Sequence, residues 1–214
     1  MNIVPKDIEQ YIQMYSSKEQ DVLSELNRFT NANVLLPQML SGQVQGIFLQ
    51  MISSLVKPKY VLEIGTYTGY ATICLASGLQ QDGQLFTIDC NEELADNCNQ
   101  YFEKANLQDK ITMIVGNAID EIQKLDYKFD IVFIDADKQN YSKYYDLVID
   151  KLNTNGIILA DNVLWSGKIT QDNKDKDTLA LHQFNEKVAN DKRVENVILS
   201  IRDGINFIRK TNNI

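Results

Sequence analysis

The stretch that decides the fold is VLEIGTYTGYA, residues 61–71, in which an apolar run leads through two glycines into a second apolar pattern. Pro58 lies just before it, and the apolar run Tyr60–Ile64 predicts a strand that is buried on both faces. Gly65 and Gly69 let the backbone turn sharply and let a ligand approach the amides at the start of the next helix. The stretch therefore predicts a strand, a ligand-binding loop and a helix.

The alternation of strand and helix continues along the chain. Further short apolar runs predict strands at Gln84–Ile88, Ile111–Val115, Ile131–Ile134 and Ile157–Ala160. Helical patterns separate the strands, at Ala71–Leu79, Glu92–Ala105, Ala118–Leu125 and Tyr141–Leu152. This alternation predicts an α/β fold with a doubly wound, mostly parallel sheet that has helices on both faces.

Both ends of the chain depart from this alternation. The residues before Pro58 show helical spacing only. The C-terminal region adds a helix, a strand, a tight turn and a last strand, at Thr178–Asn190, Val194–Ile201, Arg202–Gly204 and Ile205–Arg209. A turn that short requires antiparallel pairing, so the predicted sheet has seven strands and ends in a hairpin. We interpret the chain as one domain, with a helical N-terminal cover at 1–57 and an α/β core at 58–214.

The composition is that of a globular protein. The 214 residues include 21 Lys and Arg against 29 Asp and Glu, and the formal net charge of −8 opposes non-specific binding to nucleic acid or to an anionic membrane. We expect no membrane span, because no uninterrupted apolar run approaches the roughly 20 residues required, and no secretory signal pattern. The three cysteines lack the spacing of a disulfide framework or a zinc site, which favours a reducing compartment and predicts a cytoplasmic location.

The glycine loop favours one class of ligand. A dinucleotide site would require G-x-G-x-x-G, and Thr66 stands where that pattern has its second glycine. Glu63 suits a ligand's ammonium group, and Asp89 ends the second strand, where α/β folds place a carboxylate for ribose hydroxyls. An adenosine ligand with a cationic, amino-acid-like end fits this pattern, and S-adenosylmethionine has that shape. The alternative is that the glycines only form a turn and Asp89 only caps the helix after Asn91.

Oxygen-bearing side chains follow the fourth and fifth strands. Asp135 ends the fourth strand, and Asp161 and Asn162 end the fifth, so all three lie at the edge where doubly wound sheets bind ligands. A set of oxygen ligands without His or Cys selects Mg²⁺, Mn²⁺ or Ca²⁺ over zinc. Lys138, beside such a metal and partly desolvated, is a candidate general base. The alternative is that the two aspartates cap turns and Lys138 forms a weak surface ion pair.

Taken together, these motifs resemble the cation-dependent, S-adenosylmethionine-dependent O-methyltransferases, a family that includes catechol and caffeoyl-CoA O-methyltransferases. The resemblance rests on VLEIGTYTGYA, LFTID, VFIDADKQNY, ILADNVLWSGK and IRDGINFIRK. It implies the Rossmann-like class I methyltransferase fold, a divalent cation (Mg²⁺ first) and a homodimer.

The resemblance also assigns roles to individual residues. It implies cofactor contacts for Glu63, Gly65, Tyr67, Gly69, Asp89, Ala118 and Asp135. It implies that Asp135, Asp161 and Asn162 are the metal ligands, that Lys138 is the base with Asp135 beside it, and that Trp165 lines the acceptor pocket. Ala71 replaces a serine that is common in this loop, which removes a hydroxyl that could bind the cofactor carboxylate.

The function hypothesis is methyl transfer from S-adenosylmethionine to a hydroxyl of a small, catechol-like acceptor with two neighbouring oxygens. One alternative is O-methylation of a hydroxyuridine in tRNA, which would need a local basic edge; the candidates are Lys57, Lys59, Lys168, Lys174 and Lys176. Two further alternatives are an NAD-dependent dehydrogenase, which the missing glycine disfavours, and a nucleotide-binding module without catalysis.

Overall fold

The computed structural model describes residues 3–212, which form one seven-stranded sheet and eight α-helices. The strands are β1 Tyr60–Ile64, β2 Gln84–Asp89, β3 Ile111–Val115, β4 Phe129–Ile134, β5 Leu152–Asp161, β6 Val194–Leu199 and β7 Ile205–Lys210. The helices are α1 Lys6–Tyr15, α2 Asp21–Asn33, α3 Gly42–Val56, α4 Tyr70–Ala76, α5 Ala95–Lys104, α6 Ala118–Lys124, α7 Tyr141–Ile149 and α8 Lys176–Ala189.

The sheet has the order β3-β2-β1-β4-β5-β7-β6. The first five strands are parallel, and β7 runs antiparallel to both β5 and β6. The predicted α/β class, the mostly parallel sheet and the C-terminal hairpin are therefore confirmed. Because β2, β1, β4 and β5 are parallel neighbours, their carboxyl ends meet at one edge of the sheet.

Apolar side chains cover both faces of the sheet. Helices α4 and α5 bury one face, where the core includes Leu75, Phe102 and Phe133. Helices α7 and α8 bury the other face, where the core includes Tyr145 and Phe184. The central strands are thus shielded from water on both sides, which explains why their sequences are apolar runs rather than alternating patterns.

Strand β5 is longer than its apolar run indicates. It begins at Leu152, whereas the sequence predicts a start at Ile157. Its pairing with β4 shifts between Phe129 and Ile131, and the intervening β5 residues 153–155 are polar. A polar, irregular start of this kind has no periodic signal, so the prediction missed it.

The N-terminal helices α2 and α3 pack against α4 and α5. Helix α3 packs closely on α4, since a Cβ on Gly46 would lie 2.7 Å from the Tyr70 ring. By length and composition alone, the helical segment Pro37–Val56 is long and apolar enough to cross a bilayer. Core helices share this property, and α3 buries Leu49 and Ser53 in the protein.

Candidate active site

The loop between β1 and α4 rests directly on the end of β4. Gly65 has φ +99°, and a Cβ there would lie 2.0 Å from the carbonyl oxygen of Asp135. Gly69 has φ +86°, and a Cβ there would lie 2.7 Å from the Phe102 ring. Tyr67 between them also has a positive φ of 49°. Both glycines are required by backbone conformation and by space, as the sequence predicts.

A cavity of about 1620 Å³ opens at this edge of the sheet. Pockets for one small ligand usually measure about 300–1,000 Å³, so this cavity has room for two ligands. The predicted site residues that line it are Gly65, Tyr67, Asp89, Ala118, Asp135, Lys138, Asn162 and Trp165. Three others, Glu63, Gly69 and Asp161, lie outside its lining.

Asp89 organises the loop at one end of the cavity. Its Oδ2 accepts hydrogen bonds from the amides of Thr66 and Tyr67, at 2.9 and 2.8 Å, and its Oδ1 accepts one from the Asn91 amide at 2.9 Å. A carboxylate has about four acceptor positions, so Asp89 can hold the loop and still accept from a ribose hydroxyl. Ala118, at the start of α6, lines the same cavity.

Glu63 lies in the core beneath the loop. Its side chain is fully buried, and its Oε2 accepts hydrogen bonds from the hydroxyls of Thr72 and Thr87. Its Oε1 has no hydrogen-bond partner among the described residues. Burial, with smaller contributions from the nearby charges of Asp135 and Asp89, raises the pKa of Glu63 to about 8. A buried acceptor without a donor suits the ammonium group of a ligand.

The Thr72 hydroxyl cannot replace the hydroxyl that is missing at Ala71. Ala71 lines the cavity at the first turn of α4. The neighbouring Thr72 donates its hydroxyl proton to Glu63 and does not line the cavity. The loop therefore presents no side-chain hydroxyl at these two positions.

Lys138 lies between the ends of β4 and β5. Its Nζ donates hydrogen bonds to Asp135 Oδ1 at 3.0 Å, to the Tyr141 hydroxyl at 2.8 Å and to Asn162 Oδ1 at 2.7 Å. The Trp165 ring lies 5.8 Å from Nζ, and only 10% of the lysine side chain is exposed. An ammonium group thus occupies the point on which the Asp135 and Asn162 oxygens converge. Two of the three predicted metal ligands share a cation in this structure.

Asp161 lies behind this pair and faces helix α3. Its carboxylate is fully buried, Oδ2 accepts a hydrogen bond from Gln45 Nε2 at 2.8 Å, and Oδ1 accepts one from the Asn162 amide at 2.8 Å. The Gln45 Oε1 in turn accepts a hydrogen bond from Arg202 Nη1 at 2.9 Å. Burial raises the pKa of Asp161, and the negative charge of Asp135 adds to this effect.

The predicted ligand set fits a hard divalent cation by its chemistry. Its donors are two carboxylates and one amide oxygen, which Mg²⁺ and Ca²⁺ prefer. Within residues 3–212 no group of three or more His, Cys, Asp and Glu side chains is placed to hold a metal. The predicted set has only two carboxylates, and its third donor is the amide oxygen of Asn162, so it is not a group of that kind.

Three residues of this network have no role in the site that the sequence predicts. Gln45 lies 116 positions before Asp161, so no local pattern connects the two. Arg202 was assigned only to a turn, although its side chain lines the cavity. The Tyr141 hydroxyl donates to the backbone carbonyl of Asp161 at 2.9 Å and thereby links α7 to the end of β5. Each contact depends on tertiary packing, which periodicity does not report.

Comparison with known proteins agrees with this geometry. Residues 13–211 match a family model described as O-methyltransferase. A Dictyostelium discoideum protein named "Probable caffeoyl-CoA O-methyltransferase 3" is 31% identical over 228 residues, with 97% of this chain and 91% of that protein covered. The caffeoyl-CoA O-methyltransferase of Stellaria longipes is 29% identical, with 90% of this chain and 85% of that protein covered.

Solved structures give the same result. The O-methyltransferase from Bacillus cereus in complex with SAH has a TM-score of 0.88 at 30% identity, and the match covers 96% of this chain and 97% of that chain. The O-methyltransferase TomG from Streptomyces achromogenes, in complex with SAM, has a TM-score of 0.88 at 26% identity, and the match covers 96% of both chains.

Proposed function

The chain belongs to the O-methyltransferase family, and from this membership we propose that it uses a divalent cation to methylate one hydroxyl of a small acceptor that carries two neighbouring oxygens. It is an S-adenosylmethionine-dependent O-methyltransferase of the caffeoyl-CoA O-methyltransferase type. The observation that carries the finer proposal is the convergence of Asp135 and Asn162 oxygens on one positive charge at the cavity.

The cofactor site that we propose is the end of the cavity formed by the glycine loop and the ends of β2 and β3. Gly65, Tyr67 and Gly69 shape the loop around the methionine part of S-adenosylmethionine, Asp89 binds the ribose, and Ala118 contacts the adenine. Glu63 supports the cationic part of the cofactor from beneath the loop, where its buried Oε1 has no hydrogen-bond partner among the described residues. Asp135 adds negative charge on the β4 side.

The metal site that we propose consists of Asp135, Asp161 and Asn162. When bound there, Mg²⁺, Mn²⁺ or Ca²⁺ would stabilise negative charge on an acceptor oxygen at neutral pH. Asp161 can join the set by exchanging its hydrogen bond from Gln45 for a cation, whereas Asp135 and Asn162 already contact one. The Lys138 ammonium would leave those two oxygens.

Lys138 then serves as the general base, and its amine accepts the proton of the acceptor hydroxyl. The acceptor oxygen forms a bond to the methyl carbon of S-adenosylmethionine, and the carbon–sulfur bond breaks with its electron pair returned to sulfur. Trp165 lines the acceptor pocket beside Lys138. The loop and the strand ends hold the two reactants in one cavity, and such positioning supplies much of the rate acceleration.

Removal of the metal tests this proposal. The purified enzyme is incubated with S-adenosylmethionine and a catechol acceptor, and mass spectrometry measures the gain of one methyl group. We expect turnover to stop in excess EDTA and to return when Mg²⁺ is added beyond the chelator. Undiminished turnover in EDTA would remove the cation from the mechanism. Binding of S-adenosylhomocysteine, measured by calorimetry in EDTA, is the control for intact protein.

No observation favours the tRNA alternative. Of the five lysines proposed for a basic edge, Lys59 pairs with Asp82 at 3.0 Å and Lys168 pairs with Asp175 at 3.4 Å. Both lysine charges are thus partly compensated. The cytoplasmic location, the homodimer and the division into a cover at 1–57 and a core at 58–214 stay predictions.

A further inference from the structure

Arg202 places a positive charge in the cavity and forms no direct ion pair with a carboxylate of residues 3–212. It lies in the turn between β6 and β7 and lines the cavity. Its Nη1 donates to Gln45 Oε1 at 2.9 Å and its Nη2 donates to the Gln38 carbonyl at 3.2 Å, and both of these acceptors are neutral. None of the ion pairs found within residues 3–212 includes Arg202.

The backbone at Arg202 does not explain the presence of an arginine. Its φ is +49°, a conformation that favours glycine and asparagine over longer side chains. Gly204, two residues later, also has a positive φ, of +89°. The turn by itself would therefore be more stable with a smaller residue at 202, so the reason for the arginine must lie in its side chain.

The sheet order places Arg202 on the acceptor side of the cavity. Asp89 ends β2, whereas Arg202 precedes β7, and three strands separate β2 from β7. At about 4.8 Å per strand step, these two positions lie roughly 19 Å apart across the sheet. The metal ligands proposed on β4 and β5 lie between them. The guanidinium group is thus on the opposite side of the reacting centre from the proposed ribose site.

The guanidinium group also lies close to that centre. It reaches Asp161 through the amide of Gln45, by two hydrogen bonds of 2.9 and 2.8 Å. Such a path spans at most about 8 Å from end to end. This is the scale of one aromatic ring with a substituent at each side. A ring held by its oxygens at the metal site could therefore carry a group to Arg202.

The binding capacity of Arg202 is only partly used. A guanidinium group has five N–H donors in a planar fork, and two of them are committed to Gln45 and Gln38. The neighbouring Asp203 directs its carboxylate to the Ser166 amide instead. Asp161 and Asp203 are near enough to interact with its charge, but neither forms a direct ion pair with Arg202. An arginine with N–H groups left over is suited to a carboxylate, which it can bind through two parallel hydrogen bonds.

We propose that Arg202 binds a carboxylate on the methyl acceptor, so that the preferred substrates are catechol-like acids rather than neutral catechols. This inference rests on the proposed function, because it assumes an acceptor that is held through two neighbouring oxygens. Gln45 is a positioning residue here, since it holds the guanidinium group at a set distance from Asp161.

A matched pair of acceptors tests the inference. The acid 3,4-dihydroxybenzoate and its neutral methyl ester share the catechol and differ in charge. We expect kcat/KM to be about 10- to 100-fold higher for the acid in the unaltered enzyme, as for a charge-assisted contact. Arg202→Gln should remove that preference, so that the kcat/KM values of the acid and the ester lie within about threefold of each other. Arg202→Lys should retain part of the preference for the acid over the ester.

A control variant removes the same charge elsewhere. Arg209 pairs with Glu195 on the exposed hairpin at 2.6 Å, and it does not line the cavity. Arg209→Gln should leave the ratio of acid to ester unchanged. If Arg202→Gln lowers kcat/KM equally for both acceptors, Arg202 only ties the turn to α3 and the inference is wrong. An unaltered enzyme that prefers the ester would also overturn it.

Two more results would distinguish the carboxylate proposal from a phosphate-binding role for Arg202 and from a failure of the proposed function. If Arg202→Gln slows methylation of caffeoyl-CoA but leaves the acid-to-ester ratio unchanged, the arginine binds a phosphate of the coenzyme, and the carboxylate proposal is wrong. If the unaltered enzyme methylates neither the acid nor the ester, the proposed function fails and this inference fails with it. That failure is visible before any variant is made.

Discussion

Lys138 donates a 2.7 Å hydrogen bond from its Nζ to the side-chain oxygen of Asn162, although the two residues follow different strands of the sheet. The contact closes the gap between the ends of β4 and β5. It brings the proposed base within reach of two proposed metal ligands, since the same Nζ contacts Asp135. The site therefore already binds a cation, supplied by its own lysine.

Replacement of Lys138 by alanine should abolish most of the activity. We expect kcat to fall by about 100- to 10,000-fold, the range for loss of a general base. Affinity for S-adenosylhomocysteine, measured by calorimetry, should stay within about twofold, because the lysine lies on the acceptor side. Lys143→Ala is the control, since Lys143 is an exposed lysine in the following helix. Full turnover by Lys138→Ala would exclude Lys138 as the general base.

Glu63 should make the ligand-free protein less stable as the pH rises. Its folded pKa of about 8 lies above the ordinary 4.5, so the folded protein binds this proton more tightly than the unfolded chain. The contribution is complete below pH 4.5 and is lost as the pH rises to about 8. The upper bound on this contribution to the free energy of unfolding is on the order of 5 kcal/mol.

Glu63→Gln isolates this effect, because glutamine keeps the shape and does not titrate. Urea unfolding of both proteins at pH 5.5 and pH 8 gives the free energy of unfolding. Between pH 5.5 and pH 8, the free energy of unfolding should fall more in the original protein than in Glu63→Gln. Parallel curves for the two proteins would mean that Glu63 does not titrate in this range.

Gly65→Ala should disrupt the loop more than a glycine with similar backbone strain. The added Cβ would lie 2.0 Å from the Asp135 carbonyl oxygen, so β1 and β4 would have to move apart. Gly42→Ala is the matched control, because Gly42 has φ +74° and no atom within 4 Å of an added Cβ. We expect a loss of about 1 kcal/mol for Gly42→Ala. Gly65→Ala should cost several times more and weaken S-adenosylhomocysteine binding; equal losses in both variants would contradict the close approach.

Gln45→Ala should destabilise the metal-free protein by about 1–3 kcal/mol, because it leaves the buried Asp161 carboxylate without a side-chain donor. Gln50→Ala, in the same helix, is the control, since the amide nitrogen of Gln50 is buried without a partner and contributes no hydrogen bond. Urea unfolding in EDTA measures the free energy of unfolding of both variants and of the original protein. Added Mg²⁺ should recover part of the loss in Gln45→Ala, and a loss no larger than that of Gln50→Ala would show that the bond to Asp161 contributes little.

The sequence was sufficient to predict the succession of strands and helices along the chain, the mostly parallel sheet and the C-terminal hairpin, but not the order of the strands across the sheet. Apolar runs identify buried strands, and a strand such as Tyr60–Ile64 is predicted to the residue because both faces are covered. Boundaries are less accurate where polarity changes within an element. Helix α4 ends at Ala76, whereas its apolar pattern continues to Leu79, which is buried outside the helix.

The contacts within the site were harder to predict. The sequence predicts that Asp135, Lys138 and Asn162 meet, because parallel strands end at one edge. It does not predict that Glu63 and Asp161 are buried behind the cavity, since alternation along a strand does not distinguish a ligand pocket from the core. Gln45 and Arg202 reach the site from helix α3 and from the hairpin, through side-chain contacts that span more than 100 residues of sequence.

The backbone contact between Gly65 and the Asp135 carbonyl has a consequence for how this enzyme could be redesigned. In the proposed mechanism the loop holds the methyl donor and Asp135 holds the metal, so the contact between these two parts of the site is made by main chain, which substitutions at the cavity wall leave in place. Trp165 and Arg202, in contrast, contribute to the wall through side chains on separate loops. If the proposed function holds, substitutions at these two positions should change the range of acceptors and leave the contact between the loop and β4 intact.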